Sequence, residues 1–165
     1  MKQLLLCVLC VFASHCFAQT AADYNNQGRF KYSSNDYVNA IHDYTKAIKL
    51  NPAYENAYYN RGMAKFKMVN YQGAIEDYTK AIELNPKETY AYLSRGEAKF
   101  SFRDYKGAIE DYTKVIEIEP SGGAYYNRGM AKYKLEDKTG ACEDWKKAAE
   151  LGSTLASERI NEHCK

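Results

Sequence analysis

Paired carboxylates are the side chains in this sequence that could most directly do chemistry. Glutamate precedes aspartate at Glu76-Asp77, Glu110-Asp111 and Glu143-Asp144. Two converging carboxylates can serve as general acid and general base, as in glycoside hydrolysis. These pairs recur at intervals of 34 and 33 residues, whereas a catalytic pair is needed once. The repetition therefore indicates a structural role for the acids.

Histidine and cysteine offer the other candidate chemistry. After residue 18 the sequence holds His42, His163, Cys142 and Cys164. His163 and the two cysteines would supply only three metal donors, without the Cys-x-x-Cys spacing of structural zinc sites. The sequence also has no Gly-x-x-x-x-Gly-Lys-Ser/Thr loop, Gly-x-Ser-x-Gly elbow or His-Glu-x-x-His motif. We therefore predict no enzymatic activity, no metal site and no cofactor.

Charge and tyrosine content indicate the class of partner. The 165 residues include 23 basic and 21 acidic side chains, whereas proteins that coat nucleic acid usually have a large basic excess. Tyrosine occurs 16 times, against 6 phenylalanines, and its large, rigid ring with a polar tip suits protein recognition. We expect a protein or peptide partner and no nucleic acid.

The first 18 residues have the order of a secretory signal peptide. Lys2 supplies a positive charge, residues 4–13 form an apolar run, and Ala18 precedes the expected cleavage point. This run is too short for a membrane-spanning helix, which needs about 20 apolar residues. We predict a periplasmic or secreted mature chain without an integral membrane span. Retention as a membrane anchor and lipid attachment at Cys16 are the alternatives.

Small residues and prolines recur through the sequence at intervals of 33 or 34 residues. The recurring positions are Gly28, Gly62, Gly96 and Gly129; Ala40, Ala74, Ala108 and Ala141; and Pro52, Pro86 and Pro120. Such periodicity is typical of a repeat architecture, here with four units. A glycine and an alanine on facing helices are expected to let the two backbones of a unit approach closely.

Each unit has the hydrophobic periodicity of two helices. Tyr71, Ala74, Ile75 and Tyr78 show the i, i+3, i+4, i+7 spacing of an amphipathic helix. Pro86 cannot continue that helix, so the helix ends before it. The same interpretation predicts helices near 22–34, 37–50, 55–68, 71–84, 88–102, 105–119, 123–135 and 138–151, with no strand.

The aromatic positions of these units resemble the tetratricopeptide repeat, here of an exported bacterial type. One aromatic residue stands four positions before each glycine, and another stands four after each alanine: Tyr24, Tyr58, Tyr92 and Tyr125, then Tyr44, Tyr78, Tyr112 and Trp145. The resemblance implies an all-α, right-handed superhelical solenoid of antiparallel helix pairs. We place the domain at residues 19–165, with repeats at about 21–54, 55–88, 89–121 and 122–153.

The resemblance also implies a binding surface, because the first helices of stacked pairs line a concave groove in this family. The residues expected there are Asn25, Asn26, Arg29, Asn56, Tyr59, Asn60, Met63, Tyr90, Ser94, Glu97, Tyr126, Asn127 and Met130. Their mixture of tyrosine, methionine, asparagine and both charges is typical of an adaptable protein-contact surface. Packing between adjacent repeats is the alternative role for the tyrosines and methionines.

The best-known binding mode of the family is a basic clamp for the carboxyl termini of chaperones. Only Asn60 fits that clamp, because Asn25, Tyr90 and Ser94 stand where its lysines and arginine should be. We therefore expect a scaffold of the cell envelope that binds a peptide or helix in the groove without a carboxylate clamp. The alternative is an assembly subunit that stacks with itself through an open N-terminal end.

Long cations depart from the family pattern beside the glycines. An arginine stands directly before the glycine in three repeats: Arg61, Arg95 and Arg128. A lysine stands three positions after the same glycine: Lys65, Lys99 and Lys132. An unpaired charge near the seam between helices would be costly to desolvate. We predict that the arginines pair with Asp77, Asp111 and Asp144; the alternative is that they hold their charged ends in water.

A further helix is predicted at about 154–164, as a cap on the last repeat. Leu155 and Ile160 are expected to face inward. If this helix runs antiparallel to the one before it, Cys164 at its end lies beside Cys142. An even number of cysteines in an exported chain favours a disulfide between them, and two free buried thiols are the alternative.

Overall fold

The computed structural model describes residues 19–164, and this part of the chain consists of helices joined by short turns. Its helices are α1 (Ala21–Ser33), α2 (Tyr37–Leu50), α3 (Glu55–Lys67), α4 (Tyr71–Leu84), α5 (Thr89–Ser101), α6 (Tyr105–Ile118), α7 (Gly122–Lys134), α8 (Lys138–Glu150) and α9 (Thr154–His163). Each predicted helix is present, and the predicted all-α solenoid is confirmed. The predicted signal peptide, residues 1–18, lies outside the described residues.

The second helix of each repeat begins at a side-chain cap. The capping carboxylate or amide accepts a hydrogen bond from the backbone N–H three residues further on, which satisfies a donor that the helix leaves unpaired. The caps are Asp36, Asn70, Asp104 and Asp137. The residue before each cap has a positive φ, between 62° and 67°. This left-handed residue reverses the chain, so that the two helices of a repeat pack side by side.

The helices stack in chain order. Within a repeat, α1 packs on α2, α3 on α4, α5 on α6 and α7 on α8; between repeats, α2 packs on α3, α4 on α5 and α6 on α7. Fully buried alanines form the junctions between repeats, where small side chains allow close approach. The alanines that share a core cluster across a junction are Ala40 and Ala64, Ala74 and Ala98, and Ala108 and Ala131.

The recurring glycines make room for aromatic rings. A Cβ on Gly62 would lie 2.8 Å from Cε1 of Tyr78, and a Cβ on Gly96 would lie 2.7 Å from Cε1 of Tyr112. Gly28 faces Tyr44 and Gly129 faces Trp145 in the same way. The alanine of the second helix was expected to face each glycine. The atoms nearest the glycine belong instead to the aromatic ring four residues after that alanine, one turn further along the second helix. Helical side chains lean towards the N-terminus, which brings this ring over the glycine.

The capping helix α9 covers the last repeat with one face. Ala156 is fully buried, and Ile160 packs on the cluster that contains Ala141 and Trp145. Leu155 is 56% exposed, so the prediction that it faces inward is wrong. Residues 156, 160 and 164 lie one helical turn apart along the buried side, and Leu155 lies about 100° round the helix from that row.

The two cysteines lie at the junction of α8 and α9. The Sγ atoms of Cys142 and Cys164 are 2.04 Å apart and their Cα atoms are 5.7 Å apart, which is the geometry of a disulfide. The bridge would connect the start of α8 to the residue that follows α9. It therefore ties the capping helix to the last repeat.

Removing the bridge with Cys142→Ser and Cys164→Ser is expected to lower the free energy of unfolding by about 3 kcal/mol, because a cross-link of this span restricts the unfolded chain. Urea denaturation of both forms measures the difference. A reductant should destabilise the wild type by a similar amount and leave the serine variant unchanged. Two reactive thiols in the non-reduced protein would contradict the bridge.

Candidate partner-binding groove

The first helices of the repeats lie next to one another, because α1 contacts α3 and α3 contacts α5. The predicted groove residues fall on these helices at different depths. The exposed ones are Asn26, Arg29, Asn56, Tyr90 and Glu97, and the half-buried ones are Tyr59, Met63, Ser94, Tyr126, Asn127 and Met130. Asn25 and Asn60 are buried.

The two buried asparagines bind each other. The side-chain Nδ2 of Asn60 donates to Oδ1 of Asn25 at 2.9 Å, and the residues are 9% and 3% exposed. A buried amide requires a hydrogen-bond partner, and each of these supplies one to the other. The pair therefore joins α3 to α1 and leaves little of either side chain for a ligand.

Two groove residues on α3 also contribute to packing. The hydroxyl of Tyr59 lies 3.4 Å from Oγ of Ser94 on α5, and its ring centroid lies 5.7 Å from that of Tyr78. Met63 packs against the same cluster around Tyr78. Both side chains are half-buried, so partner contact and packing between repeats are compatible roles for them.

A recess of about 300 Å³ opens in the groove between α3, α5 and α7. It is wide enough to take a side chain of a partner. Its lining residues are Phe66, Glu97, Phe100, Ser101, Tyr112, Tyr126, Asn127 and Met130. This set, called the recess below, brings together four predicted groove residues from α5 and α7.

Within residues 19–164, Glu97 is the only charged residue that lines the recess. Its side chain is open to the groove, yet the protein around its carboxyl removes enough water to raise the pKa of Glu97. Tyr112 lies beneath it and is 2% exposed. Burial raises the pKa of the Tyr112 phenol, and the nearby charge of Glu97 raises that pKa further. The carboxylate therefore faces a partly dehydrated, aromatic surface.

Half of the recess lies outside the predicted groove set: Phe66, Phe100, Ser101 and Tyr112. Phe66 and Phe100 occupy equivalent positions in successive repeats, and Tyr112 is one of the recurring aromatics of the second helices. A signal was available at the position after each glycine, which is Arg29, Met63, Glu97 and Met130. Glu97 is the acid at this position, where the repeats before and after it have methionine, and it lies in the repeat that contributes most to the recess.

In each acidic pair the glutamate faces solvent, and the aspartate lies in the seam between the two helices of its repeat. The glutamates are exposed, whereas Asp77, Asp111 and Asp144 are buried. Arg61 binds Asp77 through Nη2 to Oδ1 at 2.7 Å and Nε to Oδ2 at 2.9 Å. The same two bonds join Arg95 to Asp111 and Arg128 to Asp144. The predicted arginine–aspartate pairs are confirmed.

Each of these arginines also reaches the preceding repeat. Its remaining guanidinium nitrogen donates to a threonine hydroxyl at 3.1 Å, in the pairs Arg61 with Thr45, Arg95 with Thr79, and Arg128 with Thr113. A lysine one turn further along contacts the same carboxylate, in the pairs Lys65 with Asp77, Lys99 with Asp111, and Lys132 with Asp144. The aspartates are thus occupied by structural contacts, which agrees with their periodic recurrence.

Residues 19–164 contain no group of three or more histidine, cysteine, aspartate or glutamate side chains placed to hold a metal ion. In the same range, no helix combines the length and the apolar character needed to cross a membrane. His163, the candidate donor beside Cys164, stacks on Tyr133 with 4.7 Å between the ring centroids.

Solved structures share this architecture. The crystal structure of MamA is 28% identical, with a TM-score of 0.77, and the match covers 86% of this chain and 81% of that one. The first TPR of Spaghetti (RPAP3), bound to the HSP90 peptide SRMEEVD, is 29% identical over 72% of this chain and 94% of that one, with a TM-score of 0.69. MamA from Desulfovibrio magneticus RS-1 is 22% identical over 80% and 75%, with a TM-score of 0.76, and shares the fold. No curated protein is significantly similar to the chain.

Three sequence families describe the repeats themselves. The family of the TPR repeat matches residues 28–69, and two tetratricopeptide repeat families match residues 55–88 and 89–121. Together the matches cover residues 28–121 without a gap, which is more than half of the chain. Sequence families, stacked helix pairs and glycine–aromatic seams agree, and the chain belongs to the tetratricopeptide repeat family.

Proposed function

We propose that this protein is an interaction scaffold that binds an extended peptide or a helix of a partner protein along its first helices. The recess carries the proposal, because a concave, largely aromatic surface with a few polar groups is typical of a binding site. Exposed groove residues such as Asn56 and Tyr90 extend the surface beyond the recess. The similar repeat domain of RPAP3, which binds an HSP90 peptide, supports a peptide as the partner.

The expected peptide differs in charge from the acid-rich SRMEEVD. The amides of Asn25 and Asn60 are engaged with each other, and Tyr90 and Ser94 supply no positive charge. Glu97 adds a negative charge to the recess, which disfavours an acidic side chain there. This arrangement supports binding without a carboxylate clamp.

The partner is expected in the cell envelope or outside the cell. The support for this location is the order of residues 1–18, which is that of a signal peptide. Fractionation followed by N-terminal sequencing tests it: a periplasmic or secreted chain that begins at Gln19 is expected. A chain that retains Met1 in the cytoplasm would contradict the location and leave the groove proposal intact.

Substitutions on the exposed side of the groove test the scaffold function. The variant Asn26→Ala/Asn56→Ala/Tyr90→Ala is expected to recover partners from an envelope extract at least about tenfold less well than the wild type, since binding energy concentrates in a few central residues. The matched control, Gln72→Ala/Lys106→Ala/Glu110→Ala, changes exposed residues of the second helices and should recover partners normally. Equal recovery of every partner by all three proteins would exclude the groove.

The first repeat supports a second candidate function, which is assembly through self-association. Phe30 is 75% exposed, whereas the equivalent residues Ala64, Ala98 and Ala131 are fully buried against the preceding repeat. A second copy of the chain that packs on this end would cover the phenylalanine ring. Sedimentation of the wild type and of Phe30→Asp tests the assembly, and monomers in both samples would remove this candidate.

A further inference from the structure

The recess holds a carboxylate that no cation of the described residues neutralises. Among the described residues, Glu97 takes part in no ion pair, whereas Asp111 takes part in two, with Arg95 and Lys99. Glu97 also faces rings, including Phe100 of its own helix. An acid beside aromatic rings is a favourable place for a cation, because the ring faces and the carboxylate are both negative.

Two cations near the recess are engaged elsewhere. Lys99 lies on the same helix as Glu97, but its Nζ is 2.9 Å from Oδ2 of Asp111. Arg159 of α9 approaches Tyr126 from the capping side, and its Nη1 lies 3.2 Å from a carboxylate oxygen of Glu162. Since no described lysine or arginine lines the recess beside Glu97, its charge is available to a ligand.

The geometry points to a subsite for arginine: we propose that the recess binds the guanidinium of an arginine side chain from the partner, paired with Glu97 and stacked on the surrounding rings. The proposal deepens the proposed function and rests on it, since it names the chemistry that the groove selects. The recess, at about 300 Å³, has room for this long side chain. Asn127 and Ser101 offer oxygen atoms to the guanidinium N–H groups that Glu97 does not take.

The protein uses the same combination of groups within its own repeats. The guanidinium of Arg61 is bound by Asp77 at 2.7 Å and lies 5.6 Å from the ring centroid of Tyr58. Equivalent carboxylate–arginine–tyrosine groups form around Arg95 and Arg128. In the recess, Glu97 and the aromatic rings supply the carboxylate and the ring face. The arginine would come from the partner.

Arginine fits better than the other classes of side chain. A neutral apolar group would bury the carboxylate of Glu97 without compensation, and an acidic group would be repelled. The planar guanidinium both stacks on aromatic faces and donates two parallel hydrogen bonds to a carboxylate, whereas the compact, strongly hydrated ammonium of lysine does neither as well.

Small probes test this subsite without knowledge of the partner. Butylguanidinium, its neutral isostere butylurea, and butylammonium are titrated into the isotopically labelled chain while backbone amide chemical shifts are followed. We expect shifts centred on α5 and α7 around residues 97–101 and 126–130, with butylguanidinium bound about tenfold more tightly than butylurea, in keeping with a charge-assisted pair. Glu97→Gln should abolish that preference, and the control Glu110→Gln should preserve it.

Three results would overturn the subsite. They are equal affinities for butylguanidinium and butylurea, an unchanged preference in Glu97→Gln, and shifts that fall outside the recess. Tighter binding of butylammonium than of butylguanidinium would indicate that the recess prefers a lysine side chain of the partner, and would also count against the proposal. Failure here is distinguishable from failure of the scaffold function, because the capture experiment alters Asn26, Asn56 and Tyr90, which lie outside the recess, while Glu97 and the other recess residues remain.

Discussion

Replacing Asp111 by asparagine is expected to lower the free energy of unfolding by about 3 kcal/mol, the cost of removing one partner from a buried ion pair. Asp111 is 2% exposed, and its oxygens lie 2.6 Å from Nη2 of Arg95 and 2.9 Å from Nζ of Lys99. Asparagine keeps the shape but removes the charge, so two largely covered cations lose their counter-ion. Urea denaturation followed by circular dichroism measures the loss.

The neighbouring residue provides the control for this substitution. Glu110→Gln removes the same charge one position earlier, on an exposed side chain, and should change stability by less than about 0.5 kcal/mol. A double-mutant cycle of Arg95→Gln and Asp111→Asn should show strong coupling, because the two residues share two hydrogen bonds. Equal stabilities of Asp111→Asn and Glu110→Gln would contradict the role of the buried carboxylate.

Glycine-to-alanine substitutions at two positions are expected to change stability in opposite directions. At Gly96 the new Cβ would lie 2.7 Å from Cε1 of Tyr112, a ring confined by the fully buried Ala108 and Ala131. The overpacking should outweigh the gain of about 1 kcal/mol in helix propensity and leave a net loss of about 2 kcal/mol. At Gly123 a Cβ meets nothing within 4 Å, so alanine should stabilise by about 0.5 kcal/mol.

The ring can be removed to test the cause. In a Tyr112→Ala background, whose own stability serves as the reference, Gly96→Ala should no longer destabilise, because the ring atoms that its Cβ would strike are gone. Thermal and urea denaturation of the four proteins in this cycle give the coupling. A Gly96→Ala protein as stable as Gly123→Ala would show that the glycines are not required for the approach of the rings.

Helix positions were accessible to sequence reasoning because each signal for them occurs several times. The glycines, alanines and prolines recur at one period along the chain, and the aromatic positions recur with them. The arginine–aspartate pairs were predictable as well, since both residues lie in one repeat, 16 positions apart. Burial of an unpaired charge would have been costly, which narrowed the choice of partners.

Contacts between repeats were harder to predict. The bond between Asn25 and Asn60 joins residues 35 positions apart, and spacing on one helix does not reveal how closely the next helix covers it. The same limit applies to Thr45, whose hydroxyl accepts a hydrogen bond from Arg61 of the following repeat. It also applies to the recess, whose depth depends on Tyr112 from a second helix. Leu155 was misplaced because hydrophobicity favoured it over Ala156.

The arginine-to-threonine bonds between repeats have a consequence for how such a protein changes length. Thr45 and Arg61 are separated by 16 positions, as are Thr79 and Arg95. Excision of residues 55–88 would therefore leave Thr45 the same distance before Arg95, and duplication of that segment would insert another identical junction. Gene rearrangements that add or delete this whole period preserve the arginine–threonine links, so the array can grow or shrink while keeping this polar contact between neighbouring repeats.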